Sequence, residues 1–349
     1  MNAQPMNSMQ RTLTALGQQE PDRVPFFLLT TLHGARELGL GIEDYFADAR
    51  NVVEGQMRML AKYSRDCLYP FFYAPIETEA WGGEVIFLED GPPNTGQPFV
   101  SRAEQIDHLE PPRVREAPCL LKVLDAIQQL KARVGDTVPI IGVAVSPFSL
   151  PVMQMGFDRY LDLIHEQPER FARLMRINEA FCSEWANAQL EAGATAICYF
   201  DPLSSTTNIP RELYLRTGQQ VARRTLAAIR GPTATHMASG RCLPILSDIA
   251  DTGTAAVGVS ALEDLTELKA AANKRVSLLG NLNGIEMRRW SAEQAEAEVK
   301  RAIAAAARGG GFLLGDNHGE IPWQVPEDVL LAMAEAVDRW GRYPLDWID

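Results

Sequence analysis

Apolar positions recur along this chain with two alternating periods. Short runs of apolar and β-branched residues cover 24–29, 66–72, 138–145, 194–200, 232–236, 254–259, 276–280 and 311–314. Between them lie longer stretches with apolar positions at helical spacing, at 157–166, 168–192, 210–230, 262–272 and 292–308, with a last one over 325–340. Runs of the first kind predict strands, and those of the second predict amphipathic helices. Pro168-Glu169 and Ser291-Ala292-Glu293 read as helix starts with acidic first turns, as do Pro326 and Glu327. Strands alternating with helices predict βα units on a parallel sheet, and eight such strands predict an α/β fold of the (β/α)8 TIM barrel class.

One segment interrupts the alternation. Residues 80–112 carry Gly82-Gly83-Glu84-Val85-Ile86-Phe87 and then Asp90-Gly91-Pro92-Pro93. The Asp-Gly pair is turn chemistry, so a β-hairpin inserted after strand two is expected, placed to act as a lid or an interface. The chain has no internal repeat, low-complexity block or Gly/Ser linker. One domain over 1–349 with an insertion at about 80–112 is therefore expected.

Composition narrows the function classes. At 349 residues, 46% hydrophobic and 22% charged, the chain has ample material for a buried core. A net charge of -12 without a basic stripe argues against nucleic acid and against an anionic membrane surface. The five cysteines, at 67, 119, 182, 198 and 242, have no Cys-x-x-Cys spacing and fit a reducing compartment. Residues 1–10 are polar, with no apolar stretch of a targeting signal, and no run approaches the roughly 20 residues a bilayer needs. A cytoplasmic protein is expected.

The candidate chemistry lies at the expected C-terminal ends of strands, where active sites of such barrels are built. His236 closes the run 232–236, and His318 follows 311–314 within Gly315-Asp316-Asn317-His318-Gly319-Glu320. Imidazole is both the commonest neutral metal ligand and the side chain most easily titrated near neutrality. Asp201, Ser204 and Ser205 follow the fourth strand, and Asn281 and Asn283 the seventh. Each has a structural alternative: a satisfied histidine, a helix cap at Asp201, loop caps at Asp316 and Glu320, a solvated strand end at Glu77 and Glu79. The run Gly309-Gly310-Gly311 precedes a strand, so it reads as a tight turn and not as a phosphate loop.

Several blocks occur together in order: 11–25 (RTLTALGQQEPDRVP), 76–85 (IETEAWGGEV), 145–150 (VSPFSL), 191–205 (EAGATAICYFDPLSS), 279–284 (LGNLNG) and 309–322 (GGGFLLGDNHGEIP). The series resembles the uroporphyrinogen decarboxylase superfamily, including its cobalamin-dependent methyltransferase branch, over nearly the whole chain. The resemblance implies a (β/α)8 barrel. It also implies an arginine-rich loop after strand one in the porphyrinogen decarboxylases, pairing with the substrate's carboxylates. Here the stretch 26–36 is mostly apolar, and Arg36 is its one basic residue. That departure disfavours porphyrinogen decarboxylation and points to a smaller, more apolar substrate.

The methyltransferase branch implies zinc held by His-x-Cys after strand five and a second Cys after strand eight. His236 matches the first ligand, Ala238 stands in place of a thiolate, and His318 aligns with the second Cys, with Cys242 a further candidate. The resemblance thus leads to zinc on His236 and His318 with an oxygen ligand from Glu79, Asp316 or Glu320, a harder site that would polarise an ether or hydroxyl oxygen. His236, His318 and Asp201 are the expected catalytic residues, with Asn281, Asn283 and Ser204 facing the cofactor. The chain has no Asp-x-His-x-x-Gly motif, so cobalamin would arrive on a separate corrinoid protein. Methyl transfer between a small O- or N-methylated compound and that partner is the favoured expectation. A decarboxylase of a small acid, with His318 and Asp201 steering protons, and a non-catalytic ligand- or corrinoid-protein-binding barrel are the alternatives. A homodimer is left open.

Overall fold

A computed structural model of the chain describes residues 5–317 and 319–348. His318 therefore lies outside the described residues. Seven strands among these residues form one parallel sheet, ordered β1 (Phe26–Phe27), β9 (Phe312–Asp316), β8 (Ser277–Leu282), β7 (Ala256–Gly258), β6 (Thr233–His236), β5 (Ala196–Phe200) and β4 (Ile141–Val145). The remaining two, β2 (Val85–Ile86) and β3 (Asn94–Thr95), pair antiparallel with each other over two residues each. The rest of the excursion over 80–112 is irregular apart from the 3-10 turn Ala103–His108 and the start of a second at Val114–Glu116 just beyond it.

The second expected strand, 66–72, is mostly absent, and side chains explain why. Asp66 N–H donates to Phe26 O (2.8 Å) and Leu68 N–H to Pro139 O (2.9 Å), so residues 66–68 reach both edges of the curled sheet. Along the open edge of β4, three amides need acceptors. Ile141 N–H finds Leu68 O (2.8 Å), but Val143 N–H donates to Gln189 Oε1 (3.0 Å) and Val145 N–H to Glu77 Oε1 (2.8 Å). Gln189 Nε2 returns a bond to Val143 O. Two side chains thus complete the ladder, and the chain after Leu68 is released to line the mouth. Buried backbone groups must be paired, but not necessarily by a strand.

Helices cover the outer face. Pro168–Ala192 starts with proline at its first position, where no intrahelical N–H is needed, and ends at Gly193, whose φ of 119° suits a residue without a side chain. Ala292–Ala306 starts in a capping box between Ser291 and Gln294. Strand alternation sorts the core. On β5, Ile197 and Tyr199 face the helices, whereas Cys198 joins Phe27, Cys67, Tyr69, Ile141, Leu279 and Leu313 inside the curl.

The block at 11–25 builds the opposite, N-terminal edge. Arg11 Nη1 donates to Asp66 Oδ1 (2.6 Å) and Arg23 Nη1 to Asp66 Oδ2 (2.8 Å), while Arg11 also grips Asp22 (2.7 Å). Phe26 N–H completes the carboxylate of Asp66 (2.9 Å).

Candidate functional site

At the C-terminal ends of the strands the interior opens into a cavity of about 210 Å³. Its walls are mostly apolar, formed by Phe27, Tyr69, Val143, Cys198, Phe200 and Leu279 among others. Pro92, from the link between β2 and β3, reaches over it, and Gln324 Nε2 donates to Asp90 O (2.8 Å), tying that link to the loop after β9. One imidazole and two carboxyl groups interrupt the apolar wall: His236, Asp316 and Glu320. No lysine or arginine among the described residues lines it. Arg36 is committed elsewhere, stacked over Trp323 at 4.6 Å and donating to the carbonyls of Trp323 and Val325.

His236 ends β6 with its ring stacked on Phe200 (centroids 5.6 Å apart, planes at 27°). The neighbouring position on β7 is Gly258, and a Cβ there would lie 2.5 Å from the imidazole Cδ2, so the absence of a side chain makes room for the ring. Nδ1 accepts a hydrogen bond from Ala238 N–H (3.0 Å). A nitrogen that accepts carries no proton, so the neutral ring carries its proton on Nε2. Ala238, at φ 51°, holds the left-handed backbone that aims this amide.

The two carboxylates hang from the loop after β9. Asp316 accepts from Gly319 N–H (3.2 Å) and, at the limit of hydrogen bonding, from Leu29 N–H (3.4 Å). Glu320 Oε1 accepts from Leu32 N–H (2.8 Å) and from the Thr31 hydroxyl. Burial in this apolar wall pushes the Glu320 carboxyl up to about 7, assisted by the charge of Asp316 and opposed by those two hydrogen bonds. Near neutral pH the cavity therefore presents a carboxylic acid with a proton to give.

The other expected site residues lie elsewhere. Asp201 is 1% exposed and lines no part of the cavity: it accepts from Ser146 (2.6 Å) and Ser149 (2.7 Å), with Ser204 beside them, and burial raises its pKa. The cause is the two-residue period of β5, which turns Cys198 and Phe200 inward and Asp201 toward the helices. Ser204 is buried in that same outer cluster. Asn281 donates to the carbonyls of Ser260 (3.0 Å) and Glu263 (3.2 Å), and Asn283 accepts from Ile285 and Glu286 N–H (3.2 Å each), so both shape loops instead of facing the cavity. Glu79 lies in a separate surface cleft with Pro112 and Cys119, accepting from the Tyr73 hydroxyl (2.7 Å). Glu77 is no solvated strand end; it is the buried partner of β4. Pro92, Tyr69 and Cys198 were missed, although Cys198 shares a strand parity with Phe200 that sequence periodicity carries.

The expected zinc ligands are spread over more than one place, His236, Asp316 and Glu320 at the cavity and Glu79 in a separate cleft. Among the described residues no group of three or more His, Cys, Asp and Glu could hold a metal ion. A metal-bound imidazole ordinarily donates its second N–H to an acceptor, whereas His236 Nδ1 accepts from a backbone amide. Glu79 stands outside the cavity, and Cys242 is turned away, its amide held by Glu263. His318, the second expected ligand, lies outside the described residues, and of the expected donors among the described residues His236, Asp316 and Glu320 line the cavity.

Comparison with known proteins completes the description. The uroporphyrinogen decarboxylase (URO-D) family model matches residues 7–340. The uroporphyrinogen decarboxylase of Nitrosospira multiformis is 27% identical over 300 residues, 83% of this chain and 80% of its own length. That of Idiomarina loihiensis is 25% identical over 354 residues, covering 95% and 96%. Among solved structures, a methyltransferase from Methanosarcina mazei superposes with a TM-score of 0.86 at 21% identity, over 96% of this chain and 99% of that one. At that identity the likeness is one of fold.

Proposed function

The chain belongs to the uroporphyrinogen decarboxylase family, and from that premise we propose that it is a methyltransferase that takes a methyl group from a small, uncharged O-methylated compound and passes it to a corrinoid carried by a separate protein. The fold reading that goes with it is a (β/α)8 barrel in which residues 66–68 stand for the eighth strand. The observation that carries the proposal is the pairing of an apolar cavity, lined by no lysine or arginine among the described residues, with a carboxyl whose pKa is about 7. An apolar cavity of about 150 Å³ takes up benzene, so this one has room for a single ring bearing a methoxy group.

In the reaction the O–CH3 bond breaks with its electron pair remaining on oxygen, and the methyl forms a new bond to the acceptor. The corrinoid, when its protein docks, supplies the nucleophile that accepts the methyl. Glu320 gives its proton to the departing oxygen, which leaves as a neutral hydroxyl instead of an oxyanion in an apolar wall. His236, protonated on Nε2, is a hydrogen-bond donor for that oxygen. Thr31 and Leu32 hold the Glu320 carboxyl in place, and burial, assisted by the charge of Asp316, keeps its proton affinity high.

Decarboxylation of a small acid is the second reading, favoured by the names of the relatives. Its difficulty is that a carboxylate entering this cavity gives up its hydration without a cation among the described residues. The test is a screen of methoxylated single-ring compounds against cob(I)alamin, read by the absorption change to methylcobalamin, beside assays of uroporphyrinogen and small aromatic acids for carbon dioxide. Methyl transfer with no porphyrinogen turnover supports the proposal. Carbon dioxide release without methyl transfer overturns it.

A further inference from the structure

Beneath the cavity lies a second void that the reaction above does not use. It measures about 80 Å³ and is bordered from below by Met9, Leu13 and Leu16 of the helix Ser8–Leu16. Its upper wall is shared: Phe27, Tyr69, Cys198 and Leu279 line both spaces. These four side chains are thus a single layer across the barrel, with the proton-donating group above and apolar space below. The space exists because the next positions down are small, Ala234 and Ala256 among them. Interiors normally pack to crystal density, so a mostly apolar space of this size is room for apolar matter.

We infer that this layer is a length gate that determines specificity. The methoxy end of the substrate faces Glu320, its apolar end points down the barrel, and Leu279 and Cys198 set the longest substituent admitted. The substrate class is a neutral single-ring methyl ether with a short unbranched alkyl group opposite the ether oxygen. Which end faces Glu320 rests on the methyltransferase reading; the length limit is a property of binding alone.

The probes are 4-alkylanisoles of increasing chain length, with affinity measured by calorimetry on the intact protein. Each methylene buried above the layer should tighten binding about fourfold, until one chain length at which affinity falls. In Leu279→Ala that break should move to chains longer by about two carbons, and in the milder Cys198→Ala by about one, since the removed atoms open the lower void. Adding Ala234→Leu, which fills only that void, should cancel the shift. A break at the same length in both opened variants overturns the gate, as does failure of every alkylanisole to bind the wild type. Binding with the expected shifts but no methyl transfer to cob(I)alamin would sink the methyltransferase reading and leave the gate standing. Methyl transfer with a break indifferent to Leu279 would sink the gate alone.

Discussion

Glu320 owes its character to three neighbours. Leu32 N–H and the Thr31 hydroxyl favour the carboxylate, yet the apolar wall outweighs them and leaves the group titrating at about 7. A general acid serves best when its pKa lies near the working pH. Only the protonated form donates, so methyl transfer should be fastest below pH 7 and fall as pH rises through it. Glu320→Gln keeps the shape and an acceptor for Leu32 but has no proton to give. It should slow transfer by about 10²- to 10⁴-fold and flatten the profile between pH 5.5 and 8.5, read as initial rates with cob(I)alamin. A variant that keeps the wild-type slope would remove Glu320 from the chemistry. His236 and Glu320 were both legible in the sequence, because strand-end position alone brings them to the mouth. The same rule places Asp201 at a strand end, but the strand's parity turns it outward, and parity depends on where β5 enters register with its neighbours.

Among the elements, the 66–72 segment is the instructive one. Its apolar run predicts a strand, and a strand would have paired Val143 and Val145 by backbone. Gln189 and Glu77, distant in sequence, take those amides instead, a tertiary substitution that no local pattern reveals. The other seven strands were legible because nothing competes with their neighbours for the ladder. Glu77 carries the cost of its place. Burial pushes its carboxyl up to about 8, against the hydrogen bond from Val145. An unfolded glutamate titrates near 4.3, so between these values the folded chain holds a proton that the unfolded chain has released. Stability from this group is therefore full below the unfolded pKa and is lost as pH rises toward 8. Glu77→Gln keeps the acceptor without the ionisation. It should match the wild type at pH 4.5 and exceed it by about 1 kcal/mol or more at pH 8, measured by urea unfolding at each pH. An equal difference at both would mean that the carboxyl is not what the fold strains against.

At the scale of the whole molecule the two ends of the curled sheet divide the work. The C-terminal mouth holds the acid and the cavity, while the N-terminal edge holds the ion network around Asp66. The block at 11–25 contributed to the family resemblance, and its function proves to be architectural: Arg11, Asp22 and Arg23 join the first helix to β1 and to the segment that spans the sheet's two edges. Arg23 extends the network to Asp338 on the helix Glu327–Trp340 (3.2 Å), so the two ends of the described chain meet here. Asp66 is the hub, its carboxylate accepting from two guanidinium groups and from Phe26 N–H, with the Ser8 hydroxyl as a fourth donor (2.9 Å). Asp66→Ala would leave two buried cations without their shared partner and a buried amide without its acceptor. Removing one side of such a pair costs about 3–5 kcal/mol, and Asp22 and Asp338 offset only part of it. The urea midpoint should fall accordingly, while methyl transfer per folded molecule stays at the wild-type rate, because the network touches neither Glu320 nor the cavity. A loss below about 1 kcal/mol, the range of an exposed pair, would mean that joining the two edges of the curled sheet does not depend on this hub. A loss of activity in protein that remains fully folded would mean that the two ends are coupled.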